Sequence, residues 1–191
     1  MGQRILDLDR DALLWINGHS SPVLDAILAP IAWSGEMGII WMAVGAAMLV
    51  FGTNEHRKAA LLFLITMFLV DRLINANLQH HLFRERPYLA FEGMRHLGKH
   101  WTTSSFPSGH AHSVWIAAII LGSRWRKLIP PLVLFALLTC YSRPYFGMHY
   151  PGDVIAGSVI GIAAGFGVLG LQGLWRRAMR RRSEETAEEQ T

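Results

Sequence analysis

Apolar residues in this chain come in long runs separated by short charged stretches. The clearest runs are Met37 to Gly52, Ala59 to Val70 (extending to Leu78), Ala111 to Gly122, Leu128 to Tyr141 and Val154 to Leu174. A helix that crosses a bilayer needs about 20 largely apolar residues, with somewhat fewer tolerated. A shorter run, Pro22 to Trp33 (PVLDAILAPIAW), is little more than half that length and carries Asp25. The pattern predicts an all-α fold, a polytopic membrane helical bundle of about six transmembrane helices, or five if the short run does not span. A soluble bundle with an apolar core is the alternative. It is disfavoured because five nearly uncharged runs leave little polar surface.

The two ends read differently. Ile5, Leu8, Ala12 and Trp15 recur at helical spacing, with Arg4, Asp7 and Asp11 on other faces. This predicts an amphipathic helix, lying on the membrane surface or capping the bundle. The segment RILDLDRDALLWI holds three aspartates and lacks the basic-then-apolar layout of a signal peptide. At the other end RRRSEETAEEQT has nothing apolar to bury and predicts disorder. The expected division is therefore an N-terminal helix over residues 1–20, a membrane-embedded domain over 21–175, and a basic then acidic cytoplasmic tail over 176–191.

Composition supports the membrane reading. The chain of 191 residues is 51% hydrophobic and 17% charged, against about 25% charged in soluble domains. A net charge of +4 and a pI near 9.6 would suit a nucleic-acid binder, but the basic residues cluster where apolar runs end. EHRK at 55–58, RWRK at 124–127 and RRAMRRR at 176–182 fall on one side if the spans alternate. Positive loops favour the cytoplasm, so segments 80–108 and 142–152 are expected on the extracytoplasmic face of the cell inner (cytoplasmic) membrane. Arg84, Arg86, Arg95 and Lys99 in segment 80–108 run against that rule, and binding an anionic ligand is a separate reason for them. The lipid bilayer, and no nucleic acid, is the expected partner. Cys140 is the one cysteine, so no intramolecular disulfide forms. Nothing here fixes an oligomeric state.

Three groups on that outer side could carry chemistry. In NANLQHHLFRERP, residues 75–87, Arg84, Glu85 and Arg86 cannot sit in lipid, so the helix surfaces before them and Pro87 ends it. In SSFPSGHAHS, residues 104–113, Ser108 has the signature of a helix N-cap. A helix N-terminus offers unpaired N–H groups suited to a phosphate, and Gly109 admits close approach. His110 then sits in the first turn. Read alone, this group is equally a capped helix with an interfacial histidine. In SRPYFGMHYPGD, residues 142–153, Arg143 supplies a planar fork of donors. His149 lies four residues before Asp153, and a carboxylate on one ring nitrogen leaves the other free to attack. A metal site is the chemical rival, with His110, His112 and His149, or His96 and His100, as ligands. Neither set has an acidic or cysteine cluster of familiar spacing.

These groups together resemble the type 2 phosphatidic acid phosphatase superfamily of membrane lipid phosphatases, over roughly residues 20–175. Its second motif is present as Pro107, Ser108, Gly109 and His110, and its third as Ser142, Arg143, His149 and Asp153. The first motif matches at Arg86 and Pro87, but Gln79 stands where the family has lysine. The resemblance implies that His149 is the nucleophile of a phosphohistidine mechanism, with Asp153 orienting it. His110 would protonate the leaving oxygen and then activate water. Arg86, Arg143, Ser108 and the Gly109 N–H would hold the phosphate, with Gln79 and Ser142 completing the motifs. No metal or other cofactor is implied. The substrate would be a membrane lipid phosphate, with undecaprenyl diphosphate first and phosphatidylglycerol phosphate, phosphatidic acid or lipid A phosphate as alternatives. His80 or Arg84 is expected to compensate for Gln79. A catalytically weak lipid-phosphate-binding or transport protein is the reading of another class, and the complete second and third motifs argue against it.

Overall fold

A computed structural model describes residues 2–34, 38–78 and 81–188. Their regular structure is entirely helical: α1 (Gly2–Gly18), α2 (Pro22–Ser34), α3 (Ile39–Phe51), α4 (Asn54–Leu73, continued by a π-helical turn over Ile74–Leu78), α5 (Pro87–Ala90), α6 (Gly109–Arg124), α7 (Ile129–Tyr145) and α8 (Pro151–Glu188). Each apolar run of the sequence corresponds to one of these helices. Among the described residues, α8 is long and apolar enough to cross a bilayer, and α2 with α3 qualifies as one bent span. The predicted count of about six is therefore more than length and composition return. The reasons are local. α4 opens on the polar Asn-Glu-His-Arg-Lys, α6 has 16 residues and α7 has 17.

α6 is the central helix and packs against α8, α7 and α4. Its Val114, Ile116, Ala117, Ile120 and Leu121 meet Trp41 of α3, Phe63 of α4 and Ala136 of α7. Close approach to α8 depends on small residues. A Cβ on Gly157 would press on the Ser108 carbonyl, one on Gly161 would lie 2.7 Å from the His112 Cα, and one on Gly165 would lie 3.0 Å from the Ile119 side chain. These glycines, four apart, make one face of α8 flat enough for backbone contact.

α2 is tied to the end of α7. Leu28 and Ala32 pack on Tyr145, Phe146 and Met148. Asp25 accepts the Tyr145 hydroxyl at 2.6 Å and pairs with Arg95 at 2.6 Å, so the acid inside this short run links elements. α1 packs on α7 and α8. Its Asn17 donates to the carbonyls of Arg95 and Tyr145 and accepts from the Arg95 N–H. Ile5, Leu8 and Trp15 on the same helix are exposed, so α1 docks by one face and offers an apolar face outward. The tail expected to be disordered is helical to Glu188. Arg, Glu and Ala favour helix, and Arg180 pairs with Glu184 one turn on.

The basic clusters gather at one end. Arg124 donates to Gln172 at 2.7 Å and lies 3.9 Å from Glu55, and His56 stacks on Trp125. At the opposite end α7 stops in a tight reversal. Gly147 has φ +64°, and a Cβ there would lie 2.8 Å from the Arg95 carbonyl. Its N–H donates to Pro144, and that of Met148 to Arg143. A left-handed glycine closing a helix in this way is a common C-terminal cap. The turn delivers His149 beside the start of α6.

Gly161→Ala should lower the unfolding midpoint in detergent, since overpacking costs about 1–3 kcal/mol. Gly167→Ala, with nothing within 4 Å, should not. Equal midpoints for the two variants would contradict the close α6–α8 approach.

Candidate active site

Three segments meet at the end of the bundle away from the basic clusters: the chain entering α5, the loop entering α6, and the α7–α8 turn. His149 is fully enclosed, at 2% exposure. Its Nδ1 faces the Ser105 carbonyl at 2.7 Å. A carbonyl only accepts, so Nδ1 carries the proton and Nε2 is the basic nitrogen. Nε2 lies 3.3 Å from Arg86 Nη1, which donates toward it. The Asp153 carboxylate is 3.9 Å from Nδ1, so it reaches the ring through Ser105. Burial, together with the nearby Arg86 and Arg143 guanidinium groups, holds the His149 imidazole well below its ordinary pKa.

Asp153 has no exposed surface. Its Oδ1 accepts from Arg84 Nη1 at 2.7 Å. Its Oδ2 accepts the Ser105 hydroxyl and, at 2.9 Å, the Tyr150 N–H. Arg84 donates its other terminal nitrogen to Asp9 at 2.7 Å and lies 3.5 Å above the Tyr150 ring. Arg84 is thus engaged by two carboxylates.

Arg86 is fixed by backbone. Its Nε donates to the Thr103 carbonyl, its Nη2 to the Ser104 carbonyl and Thr103 hydroxyl, and its Nη1 to the Met148 carbonyl as well as toward His149. Arg143 is buried and donates from Nε and Nη2 to the Ser142 hydroxyl, which itself donates to Thr139. Ser142 therefore serves to seat Arg143.

Ser108 occupies the N-cap position of α6, but its side chain makes no cap hydrogen bond. Its Oγ and the His110 Nε2 are both buried without a hydrogen-bond partner. Buried polar atoms are normally bonded, and here the two sit beside a helix N-terminus whose first N–H groups have no intrahelical acceptor. The Ser108 N–H itself donates to the Asp153 carbonyl at 3.0 Å, which joins the starts of α6 and α8. The His110 and His149 rings are 6.4 Å apart. A group with several acceptor oxygens fits between them.

A cavity of about 740 Å³ opens from this point. Arg86, Thr103, Gly109, His110 and His149 line its polar end, and Trp41, Met42, Leu64, Met67, Phe68 and Phe135 line the remainder. The structure thus joins Arg86, Gly109, His110 and His149 on one wall, with Ser108, Arg143 and Asp153 buried nearby. Gln79 and His80 lie outside the described residues. Among the described residues no three His, Cys, Asp or Glu side chains converge as metal ligands. His112 is buried with Nε2 3.8 Å from Asp71. His96 stacks on Tyr88 at 4.0 Å and meets His100 at 4.7 Å, bracing the loop before α6.

Sequence reasoning did not assign Thr103, Ser104, Ser105 or Asp9. The run Thr102 to Ser105, ahead of Pro107 to His110, was the available signal for the first three. Asp9 had none, because it reaches the site only through the tertiary docking of α1.

The PAP2 superfamily pattern matches residues 59–177. The lipid A 4'-phosphatase of Bacteroides thetaiotaomicron is 33% identical over 175 residues, covering 84% of this chain and 74% of the relative. The undecaprenyl-diphosphatase BcrC of Bacillus subtilis is 36% identical over 149 residues, covering 78% and 75%. The crystal structure of Aquifex aeolicus LpxE superimposes with a TM-score of 0.74 at 26% identity, over 85% of this chain and 95% of that one. The fold and the relatives define a membrane lipid phosphatase. The chain belongs to the PAP2 superfamily.

Ser105→Ala removes a buried hydroxyl from the Asp153 carboxylate. Hydrogen bonds to charged groups are worth roughly 1.5–3 kcal/mol, so its unfolding midpoint should fall clearly. An unchanged midpoint would show that this bond contributes nothing to the fold.

Proposed function

We propose that this phosphatase acts on undecaprenyl diphosphate at the extracytoplasmic face of the inner membrane, through a phosphohistidine on His149. The observation that carries the reading is a cavity with His149, His110 and Arg86 at one end and an apolar groove as the rest. A lipid phosphate is amphipathic in the same sense. Basic clusters at the opposite end of the bundle support the orientation, since positive loops favour the cytoplasm.

The His149 Nε2 lone pair attacks phosphorus, and the bond to the leaving oxygen breaks with its electron pair going to that oxygen. His110 supplies the proton. Water, losing a proton to His110, then attacks phosphorus and breaks the N–P bond, which releases inorganic phosphate and restores the neutral His149 ring. Charge on the equatorial oxygens is met by Arg86, Arg143, the Ser108 hydroxyl and the Gly109 N–H. Fixed donors of this kind carry most of the catalysis in phosphoryl transfer. The division needs no metal. Lipid A phosphate is the second reading, supported by the Bacteroides relative.

Phosphate release should be measured over undecaprenyl diphosphate, lipid A, phosphatidylglycerol phosphate and phosphatidic acid with excess EDTA. Turnover should be highest on the first and should vanish in His149→Ala. Strict dependence on added divalent metal, or near-normal turnover in that variant, would sink the mechanism, and a preference for lipid A would replace the substrate.

The pH profile offers a second check. The attacking form of His149 is neutral, and its pKa is depressed. Activity is therefore present above that depressed value and lost as pH falls through it, below the ordinary histidine value near 6.5. Arg86→Gln removes a cation that favours the neutral ring, so the acid limb of kcat/KM should move to higher pH on the same substrate. A limb that stays or moves lower would contradict the assignment.

A further inference from the structure

We infer that Asp9, on the N-terminal helix, is a positioning residue for catalysis that acts through Arg84 on the Asp153–Ser105–His149 chain. The inference rests on the phosphohistidine reading of His149. Asp9 Oδ2 accepts from Arg84 Nη2 at 2.7 Å, and Asp9 Oδ1 accepts the Gly152 N–H at 2.6 Å. Arg84 Nη1 in turn donates to Asp153 at 2.7 Å. One carboxylate from α1 thus grips both the guanidinium that pairs with Asp153 and the first turn of the helix that carries Asp153.

Two further observations support a specific role over simple docking. Asp9 is largely enclosed, with 11% of its side chain exposed, while Asp7 and Asp11 on the same helix are at 42% and 62% and bond to neighbours on α1 itself, Gln3 and Arg10. In addition, a Cβ on Gly152 would lie 2.9 Å from Asp9 Oδ2. Gly152 therefore keeps room for this carboxylate between Pro151 and Asp153.

The physical role follows from charge. Arg84 between two carboxylates is held at a fixed position by opposing bonds, with the Tyr150 ring as its floor at 3.5 Å. Without Asp9 one half of the fork has no acid partner, and the guanidinium is free to swing and carry Asp153 with it. Asp153 sets Ser105, whose carbonyl sets the His149 ring. A ring displaced by about 1 Å attacks about a hundredfold more slowly, and a smaller displacement costs correspondingly less. The exposed Ile5, Leu8 and Trp15 on the same helix would let lipid contact stabilise the docked position.

The test is a double-mutant cycle in full-length protein, read as kcat and KM for phosphate release from undecaprenyl diphosphate, or from the lipid preferred in the substrate screen. Asp9→Asn should lower kcat about tenfold with KM within about twofold, and Asp11→Asn should leave both unchanged. In an Arg84→Gln background Asp9→Asn should have no further effect on kcat, because groups acting as one unit are not additive. Gly152→Ala, which displaces the Asp9 carboxylate, should reproduce the kcat loss even if Asp9→Asn folds poorly. Wild-type kcat in both Asp9→Asn and Gly152→Ala, full additivity with Arg84→Gln, or an equal loss in Asp11→Asn would overturn the inference. His149→Ala serves as the reference. If it is inactive while Asp9→Asn is normal, only the positioning role fails, and if it retains activity the catalytic reading fails instead.

Discussion

Asp153 is a carboxylate with no access to solvent at the start of a helix long and apolar enough to cross a bilayer, and much of the site is built to satisfy it. An unpaired charge in that position costs several kcal/mol. The chain meets this with Arg84, the Ser105 hydroxyl and the Tyr150 N–H, drawn from the segment before α5, the loop before α6 and the α7–α8 turn. The same requirement that stabilises the acid therefore brings three distant segments into register. Ser105, held by its hydroxyl, presents its carbonyl to His149, so one buried charge fixes the tautomer of a ring it does not itself touch.

The second constraint is the change of solvent along the cavity. Arg86 and Arg143 have little contact with bulk water, and their N–H groups donate to the carbonyls of Thr103, Ser104 and Met148 and to the Ser142 hydroxyl, respectively. Carbonyl and hydroxyl partners satisfy donors without neutralising the guanidinium charge. Beyond it the wall turns to Trp41, Leu64, Phe68 and Phe135, where a hydrocarbon chain loses nothing by leaving lipid. The boundary falls within about one helical turn. Gly109 and His110 line the polar end, and the next turns of α6 bury Val114, Ile116 and Ala117.

Periodicity made the helices legible, because each run is one helix and glycines at four-residue spacing mark one face. It was a poorer guide to the α8 tail, where disorder was read from polarity, whereas Arg, Glu and Ala there continue a helix already nucleated by the largely apolar stretch 151–175. The second and third motifs were legible as ordered groups. The partners that hold them were not. The expectation that Asp153 bonds His149 followed from spacing four apart, but the Gly147 reversal places the pair 3.9 Å apart with Ser105 as the bonded intermediary. Spacing on an ideal helix does not apply across a turn. Ser108 reads as a helix cap, yet its hydroxyl is left without a partner.

The altered first motif can be followed one step further. A lysine at the position of Gln79 would add a third cation, and Arg84 looked able to replace it. The two terminal nitrogens of Arg84 instead go to Asp9 and Asp153, so its charge is matched twice over before any substrate arrives. Among the described residues that leaves Arg86 and Arg143 as the cations of the phosphate end. A charged donor contributes roughly 1.5–3 kcal/mol and a neutral one about 0.5–1.5, so in the proposed reading the exchange of lysine for glutamine would cost on the order of 1 kcal/mol of phosphate affinity. Such a loss falls on substrate and transition state alike if the group contacts an oxygen that does not change its charge. It then raises KM and leaves kcat standing. In the proposed phosphohistidine reading, the preorganised α6 N-terminus and Arg86, held by three carbonyls, would act where charge develops, and the loss of the lysine would leave that step standing.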